Sequence, residues 1–278
     1  MIRLEIDGLG CELKRFHDLS WLKGLGRVFV VFDGLISGNL CFGVQAADRR
    51  LFVKFAGAPT LQYAGNPDAA VENLISAASK YEALRHPSLS PMIGQFQTSG
   101  GFGLLFPWFP GFALAPLELH MNSFRELKLQ DRLRMYDNLA SFFVHVSDSD
   151  YTLAGISDRQ ILVDFESMNI LFSSVDHFME MPACTPYSKM AGSPWYIPPE
   201  GYLPGSSLDE GSNVYALGAL AFTFFGDRKK RSEAGWECGP ALYRIAKQAM
   251  HDKRDSRQAY ARDYLSAWRG AVLRMERL

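Results

Sequence analysis

Cysteine is scarce in this chain. The four, Cys11, Cys41, Cys184 and Cys238, are scattered over 278 residues with no short spacing between any two. Neither a paired-cysteine zinc site nor a disulfide framework is indicated, which points to a reducing compartment. Long apolar runs are missing too. The longest, Tyr215 to Gly226, falls far short of the ~20 residues a membrane-spanning helix needs. The richer stretch Phe102 to Leu117 is broken by Pro107, Pro110 and Pro116. The opening residues, MIRLEIDGLG, carry acids where a secretory signal needs an apolar centre. Neither sign of charge is in excess: 29 Lys and Arg stand against 30 Asp and Glu, a net charge of −1. That balance argues against a global electrostatic footprint for nucleic acid or a membrane surface and leaves only a local basic patch open. There is no repeat, low-complexity tract or long charge run. The expectation is a soluble cytoplasmic protein with no membrane span and no nucleic-acid partner.

What is present is ample material for a core, with 47% hydrophobic and 13% aromatic residues. The length exceeds the usual ~100–200 residues per domain, so one large two-lobed unit or two small domains would fit. From Gly26 to Phe55 the pattern is strand-like: RVFVVF, NLCFGV and RLFVKF, separated by turn residues in DGLISGN and AADR, predict an antiparallel meander. After Asn66-Pro67-Asp68, the stretch AAVENLISAASKYEALR repeats apolar residues at helical spacing and stops at His86-Pro87. GGFGLLFPWFPG predicts one more strand. Beyond about residue 112 the style becomes helical, as in RLRMYDNLASFFVHV, with QILVDF and ILFSSV as a hairpin around Glu166–Asn169. The fold expected is α+β and bilobal: a leader over 1–25, a small antiparallel β-rich lobe with one helix over 26–111, and a larger α-helical lobe over 112–278.

In this order the elements resemble a protein kinase, from about Gly26 to Trp268. FVKF puts Lys54 on the third strand, where kinases carry the lysine that meets nucleotide phosphates. LRHPSL resembles the boundary after the kinase C-helix, and LLFPWFPG the fifth strand and hinge. GSPWYIPPEG resembles the end of an activation segment, with Glu200 in the Ala-Pro-Glu position. SNVYALGALAFTFFG resembles the buried F-helix motif, and Arg257 falls where a late arginine pairs with that glutamate. SGNLCFGV, FVKFAGAPT and FFGD are similar to a divergent group of bacterial Ser/Thr-kinase-like proteins. The resemblance implies a bilobal kinase fold, ATP and Mg²⁺ as cofactors, and a protein partner or protein substrate. It implies nucleotide-site roles for Lys54, Phe52, Glu72, Phe106 and Trp108, and structural roles for Glu200, Arg257 and Asn213.

The positions that should carry chemistry depart from the pattern. Phosphoryl transfer needs a carboxylate for the substrate hydroxyl and carboxylate or amide oxygens for magnesium. Aligning YTLAGISDRQILVDF with the group's loop puts Gly155 at the catalytic Asp and Gln160 at the metal-binding Asn. Asp158 matches a second acidic residue of that loop. Ser174 then stands at the metal-binding Asp, with Asp176 two residues late, and Asn213 replaces the F-helix Asp. A rival alignment takes VDFESMNILF as Asp-x-x-x-x-Asn-Ile-Leu, making Asp164 and Asn169 catalytic. It leaves only seven residues to Asp176, too few for the hairpin kinases place there. DGLISGN is not a full glycine-rich loop. Strand alternation puts Phe52 on the face of Lys54, where it would crowd an adenine. Ala77 stands where a Lys-pairing Glu belongs. Glu72 and Glu82 flank it, neither one helical turn away, so Lys54 is expected either unpaired or paired with Glu72, which lies earlier on the helix.

Two expectations follow. One is a pseudokinase, a kinase fold with impaired or absent phosphoryl transfer that acts as a regulatory or binding module. The other is an active atypical Ser/Thr kinase, in which Asp158 or Asp164 accepts the hydroxyl proton and Gln160, Asn169 and Asp176 hold metal. Elsewhere, His86 is expected as a structural boundary residue and His145 as a satisfied core histidine. DRKKR (227–231) is expected as a solvated loop, with docking of an acidic partner as the sharper alternative. CTPYSKMAGS has Ser, Thr and Tyr where kinases are switched by phosphorylation, but no basic cluster to receive a phosphate.

Overall fold

A computed structural model of the chain describes residues 1–186 and 190–275, which form antiparallel sheets and, among those residues, six α-helices: an α+β protein. They divide into two compact units, Met1–Arg85 with Ser90–Pro110, and His86–Leu89 with Gly111 onward.

In the first unit, the alternation I-R-L-E-I and the Asp7-Gly8 pair, both at positive φ, make a tight hairpin of β1 (Ile2–Ile6) and β2 (Leu9–Leu13). β3 (Arg27–Phe32), β4 (Asn39–Gln45), β5 (Arg50–Ala56), β6 (Gly94–Thr98) and β7 (Gly101–Pro107) form a five-stranded antiparallel sheet in the order β3-β4-β5-β7-β6. Because side chains alternate across a strand, each sheet face has its own fate. One face buries Phe42, Val44, Leu51, Val53 and Phe55 with Cys11, Leu13, Leu19 and Leu22 from residues 1–25. The leader therefore shares the core of this unit. The other face carries Phe52, Lys54 and Phe106. Against it packs α1 (Pro67–Ala83), whose Tyr81 ring lies 4.9 Å from that of Phe106. α1 starts where Asn66 accepts a hydrogen bond from Asp68 N at 3.1 Å and Pro67 takes the first helical position.

The second unit is built round α4 (Glu210–Phe225), apolar on all sides and buried from Ser212 to Phe225. Before it come β8 (Phe112–Ala113), α2 (Glu118–Glu126), α3 (Leu129–Asp148) and β9 (Tyr151–Thr152). β10 (Ile161–Asp164) and β11 (Asn169–Phe172) follow, then three short strands, β12 (Met179–Glu180), β13 (Ala183–Cys184) and β14 (Ser207–Leu208). α5 (Gly239–Ala249) and α6 (Ala261–Met275) complete it. Aromatic rings join the helices: Tyr136 of α3 meets Trp268 of α6 at 4.5 Å, and its hydroxyl is 2.6 Å from that of Tyr264. No helix is long and apolar enough to cross a membrane among the described residues.

Candidate functional site

The sequence-selected residues of the first unit gather on one face of the five-stranded sheet. Phe52 pairs across the strands with Gly43 and Phe106, and Lys54 with Cys41 and Leu104. Lys54 is 7% exposed, with its Nζ 6.0 Å from the centre of the Tyr81 ring. Trp108, held by its N–H to Arg50 O at 3.0 Å, brings its ring to 6.5 Å from Phe52 and 4.9 Å from Phe29. Phe29 reaches this face because the β3–β4 register slips between Val28 and Val30. Gly43 makes room for it: a Cβ there would stand 2.5 Å from Val30 Cγ1 and 2.6 Å from Phe29 Cζ. Phe29, Phe52, Phe106 and Trp108 thus form a continuous aromatic surface beside the lysine. The sequence reading found three of them and missed Phe29 and Gly43; the bulge has no local signature, but Gly43 inside a strand was a legible hint of close approach.

Glu72 is not beside Lys54. It lies exposed on α1, nine residues before Tyr81 and so roughly 13 Å along the helix axis from the ring that meets the lysine. Its earlier position, offered as the reason for pairing, instead carries it away. Glu82 is exposed and pairs with Arg85. In the loop between β3 and β4, Gly38 adopts φ +80 and is roofed by Tyr63 and Ala70, while Ile36 at the tip is exposed.

In the second unit, Gly155 adopts φ +73, and a Cβ built on it would fall on the Cβ of His177, well inside van der Waals contact. The chain at Gly192 packs on the same backbone: its own Cβ would stand 2.7 Å from Gly155 C, and Ser193 N donates to Ile156 O at 2.8 Å. No side chain fits at position 155. Asp158, 3% exposed, is fully engaged. It accepts from Tyr196 OH at 2.6 Å and pairs with Arg228. Burial first and the Asp158 charge second push the Tyr196 phenol well above its ordinary range, so it stays a donor. Arg228 also stacks over Trp195, and Arg231 donates to Trp195 O and Tyr215 OH. Two of the four cations of the DRKKR loop are therefore inward ties, while Lys229 and Lys230 are exposed. Sequence reasoning had no means of finding Arg228, 70 residues from its partner.

The metal-binding candidates are committed to other work. Gln160 accepts from Ser157 N at 2.7 Å and donates to Ser174 O at 3.2 Å, closing a capping box round the turn 158–160. Asp164 and Asn169 are cross-strand partners that close the β10–β11 hairpin, with 165–168 as its turn. The Asp164 carboxylate accepts from Ser167 Oγ, Glu166 N and Ser167 N, and the Ser167 hydroxyl bond leads in holding it below its ordinary pKa. Asn169 donates to Ser167 Oγ at 3.0 Å. Asp176, half-buried, is one carboxylate. Among the described residues no three His, Cys, Asp or Glu side chains are grouped to hold a metal ion. In a nucleotide site Mg²⁺ is held by one or two carboxylates together with phosphate and water oxygens, and of these candidates Gln160, Asp164 and Asn169 carry the bonds given above.

The structural candidates are densely bonded. Arg257 and Glu200 form a two-pronged ion pair at 2.7 and 2.9 Å, both nearly sealed from solvent, and Ser212 Oγ donates to Glu200 Oε1 at 2.9 Å. Burial pushes the Glu200 carboxyl up, but the Arg257 bonds and Ser212 outweigh it and hold it below its ordinary value. Asn213 accepts from Leu153 N at 2.7 Å and donates to Ser147 Oγ and Tyr151 O at 2.7 and 2.8 Å. In the CTPYSKMAGS stretch, Thr185 is buried, its hydroxyl donating to Leu203 O; Tyr187 and Ser188 lie outside the described residues.

A cavity of about 380 Å³ in the first unit avoids all these residues. It is lined by Phe16, His17, Asp18, Ser20, Trp21 and Thr98–Gly100, on the sheet face opposite Lys54. No protein-family model matches the chain, and no curated protein matches it significantly.

Proposed function

We propose that this chain is a protein-kinase-like pseudokinase, a regulatory or binding module for a protein partner in the cytoplasm. The support begins with order: a five-stranded antiparallel sheet with one helix precedes a helical unit, with Lys54 on β5 and a Glu200–Arg257 pair late in the chain. The observation that carries the reading is Gly155. A proton acceptor for a substrate hydroxyl is expected at that position, and a left-handed backbone pressed against His177 and Gly192 leaves no space for one. Asp158, the nearest carboxylate in sequence, is spent on Arg228 and Tyr196. The rings of Phe29, Phe52, Phe106 and Trp108 cover the sheet face on which a kinase-like site would seat an adenine.

The alternative, an atypical Ser/Thr kinase, draws on one observation: Lys54 remains nearly buried on the sheet face where a phosphate-binding lysine is expected. Thermal unfolding with ATP, with and without Mg²⁺, separates the two. A ligand at a hundredfold excess over its Kd stabilises the folded state by about 2.7 kcal/mol. The pseudokinase reading expects no magnesium-dependent shift and no γ-phosphate transfer. A magnesium-dependent shift abolished in Lys54→Ala or Asp176→Ala, together with turnover, would replace it with the kinase.

A further inference from the structure

His86–Leu89 belongs to the second unit, although the residues on either side of it, up to Arg85 and from Ser90, belong to the first. Four residues this short hold their place through specific bonds. Phe172 N donates to Ser88 O at 2.7 Å, Leu89 bridges to Phe172, and Ser88 Oγ donates to Asn138 O of α3 at 3.0 Å. Leu89 N closes a turn onto His86 O at 3.0 Å. The remaining bond is protonation-dependent: Ser88 N donates to His86 Nδ1 at 3.1 Å. A ring nitrogen accepts only when it carries no proton, so this bond exists with His86 neutral and its proton on Nε2.

The second protonation-dependent feature is the neighbour. The His86 ring stacks on that of His145 of α3, with centroids 5.7 Å apart and planes inclined by 26°, and Phe142 adds a third ring at 5.5 Å. His145 is not the satisfied core histidine expected from the sequence. Its Nε2 is buried with no hydrogen-bond partner among the described residues. A proton added to His86 at Nδ1 removes the Ser88 bond and sets two N–H groups against each other. The charge of His145 also disfavours a proton on His86. Burial, and then the charge of His145, hold His86 below the ordinary 6.5; among the described residues His145 is the one titratable group whose charge acts on it, and no carboxylate offsets the effect.

We infer that His86, stacked on His145, is a protonation-sensitive latch: with its Nδ1 free to accept from Ser88 N it holds residues 86–89 on α3 and β11, and a proton on that nitrogen loosens them. This device is independent of whether the chain transfers phosphate. It makes mild acid a signal that acts at the one place where the chain leaves and re-enters the first unit.

The test is amide exchange of the whole chain, read as protection factors so that intrinsic exchange cancels, with NMR titration of the histidine rings in parallel. Between about pH 7.5 and about pH 5.5, the Ser88, Leu89 and Phe172 amides should lose protection by about tenfold or more, following the His86 midpoint. His17, also held below its ordinary value, titrates in the first unit, so amides of β4 and β5 serve as the internal reference. In His86→Asn the side-chain oxygen can still accept from the amide two residues on but does not titrate; the local loss should disappear. Should that variant fail to fold, His145→Phe keeps a stacked ring and should move the His86 midpoint upward. A wild-type profile that is flat across the range overturns the latch. So does an unchanged loss in His86→Asn, or an unmoved midpoint in His145→Phe.

Discussion

Glu200 and Arg257 lie 57 positions apart and are both nearly sealed from water. A buried charge is tolerable only with partners, and Arg257 has them on every side: two carboxylate oxygens, the carbonyls of His251 and Gly211, and the face of Tyr215. Removing one partner strands the other. Arg257→Met should cost about 3–5 kcal/mol in urea unfolding. The double variant Glu200→Leu/Arg257→Met should recover a large part of that loss, because it leaves no orphan charge. A single variant within about 0.5 kcal/mol of wild type would show the pair to be ornamental. The sign of the pH dependence follows from the direction of the shift. The Glu200 carboxyl is held below its ordinary 4.5, so the unfolded chain takes up a proton first as pH falls. Its contribution is whole above about 4.5 and is lost below that as pH drops through the folded value. The slope of stability against pH in that range should therefore flatten in the double variant.

At the scale of elements, α4 is the helix on which the loop before β10 hangs. Its capping box at Asp209 and Ser212 sets the first turn, and Asn213, one residue on, faces inward. That side chain acts as donor twice and acceptor once, joining the end of α3 at Ser147 to Tyr151 of β9 and to Leu153. An aspartate of the same shape could keep the bond from Leu153 N but would oppose the Tyr151 carbonyl with a second acceptor. Asn213→Asp should cost about 1–3 kcal/mol or more, and the loss should deepen as pH rises and the carboxylate ionises. Equal stability of the two at neutral pH would mean that the donor side of the amide carries nothing. Much at this scale was legible. The meander over 27–56 was written in period-two runs and turn residues, α1 in its Asn-Pro start, and the β10–β11 hairpin in the spacing of its two apolar runs. The site was less so. Gly155 can be read as a missing carboxylate from sequence, but its left-handed backbone and the His177 contact depend on residues 22 or more positions away. Arg228 on Asp158, the flipped Phe29 and the distance from Glu72 to Lys54 arise the same way, from tertiary placement that no local pattern encodes.

The whole first unit depends on a segment the sequence left as a leader. Its hairpin was signalled by Asp7-Gly8 between alternating apolar residues, the strongest short-range hairpin signal there is. Buried within that segment are Cys11, Leu13, Leu19 and Leu22, laid over Phe42, Val53 and Phe55, with Trp21 against Phe55 and Phe96 at 4.8 and 5.0 Å. Each fully buried leucine contributes about 1.5–3 kcal/mol, so three of them already approach the whole net stability of an ordinary domain, ~5–15 kcal/mol. A five-stranded sheet stripped of this cover would expose a continuous apolar face to water. Deleting residues 1–25 should therefore abolish cooperative unfolding of the first unit and produce strong binding of a hydrophobic dye. Leu22→Ala, which leaves the cover in place but hollow, should cost about 2–5 kcal/mol and keep the transition cooperative. A truncated chain that unfolds with the same midpoint and binds no dye would mean that the sheet finds its core elsewhere. The graded pair distinguishes a segment that folds as part of the domain from one that rests on it. In the first case the point variant is already felt in the global transition; in the second it is silent.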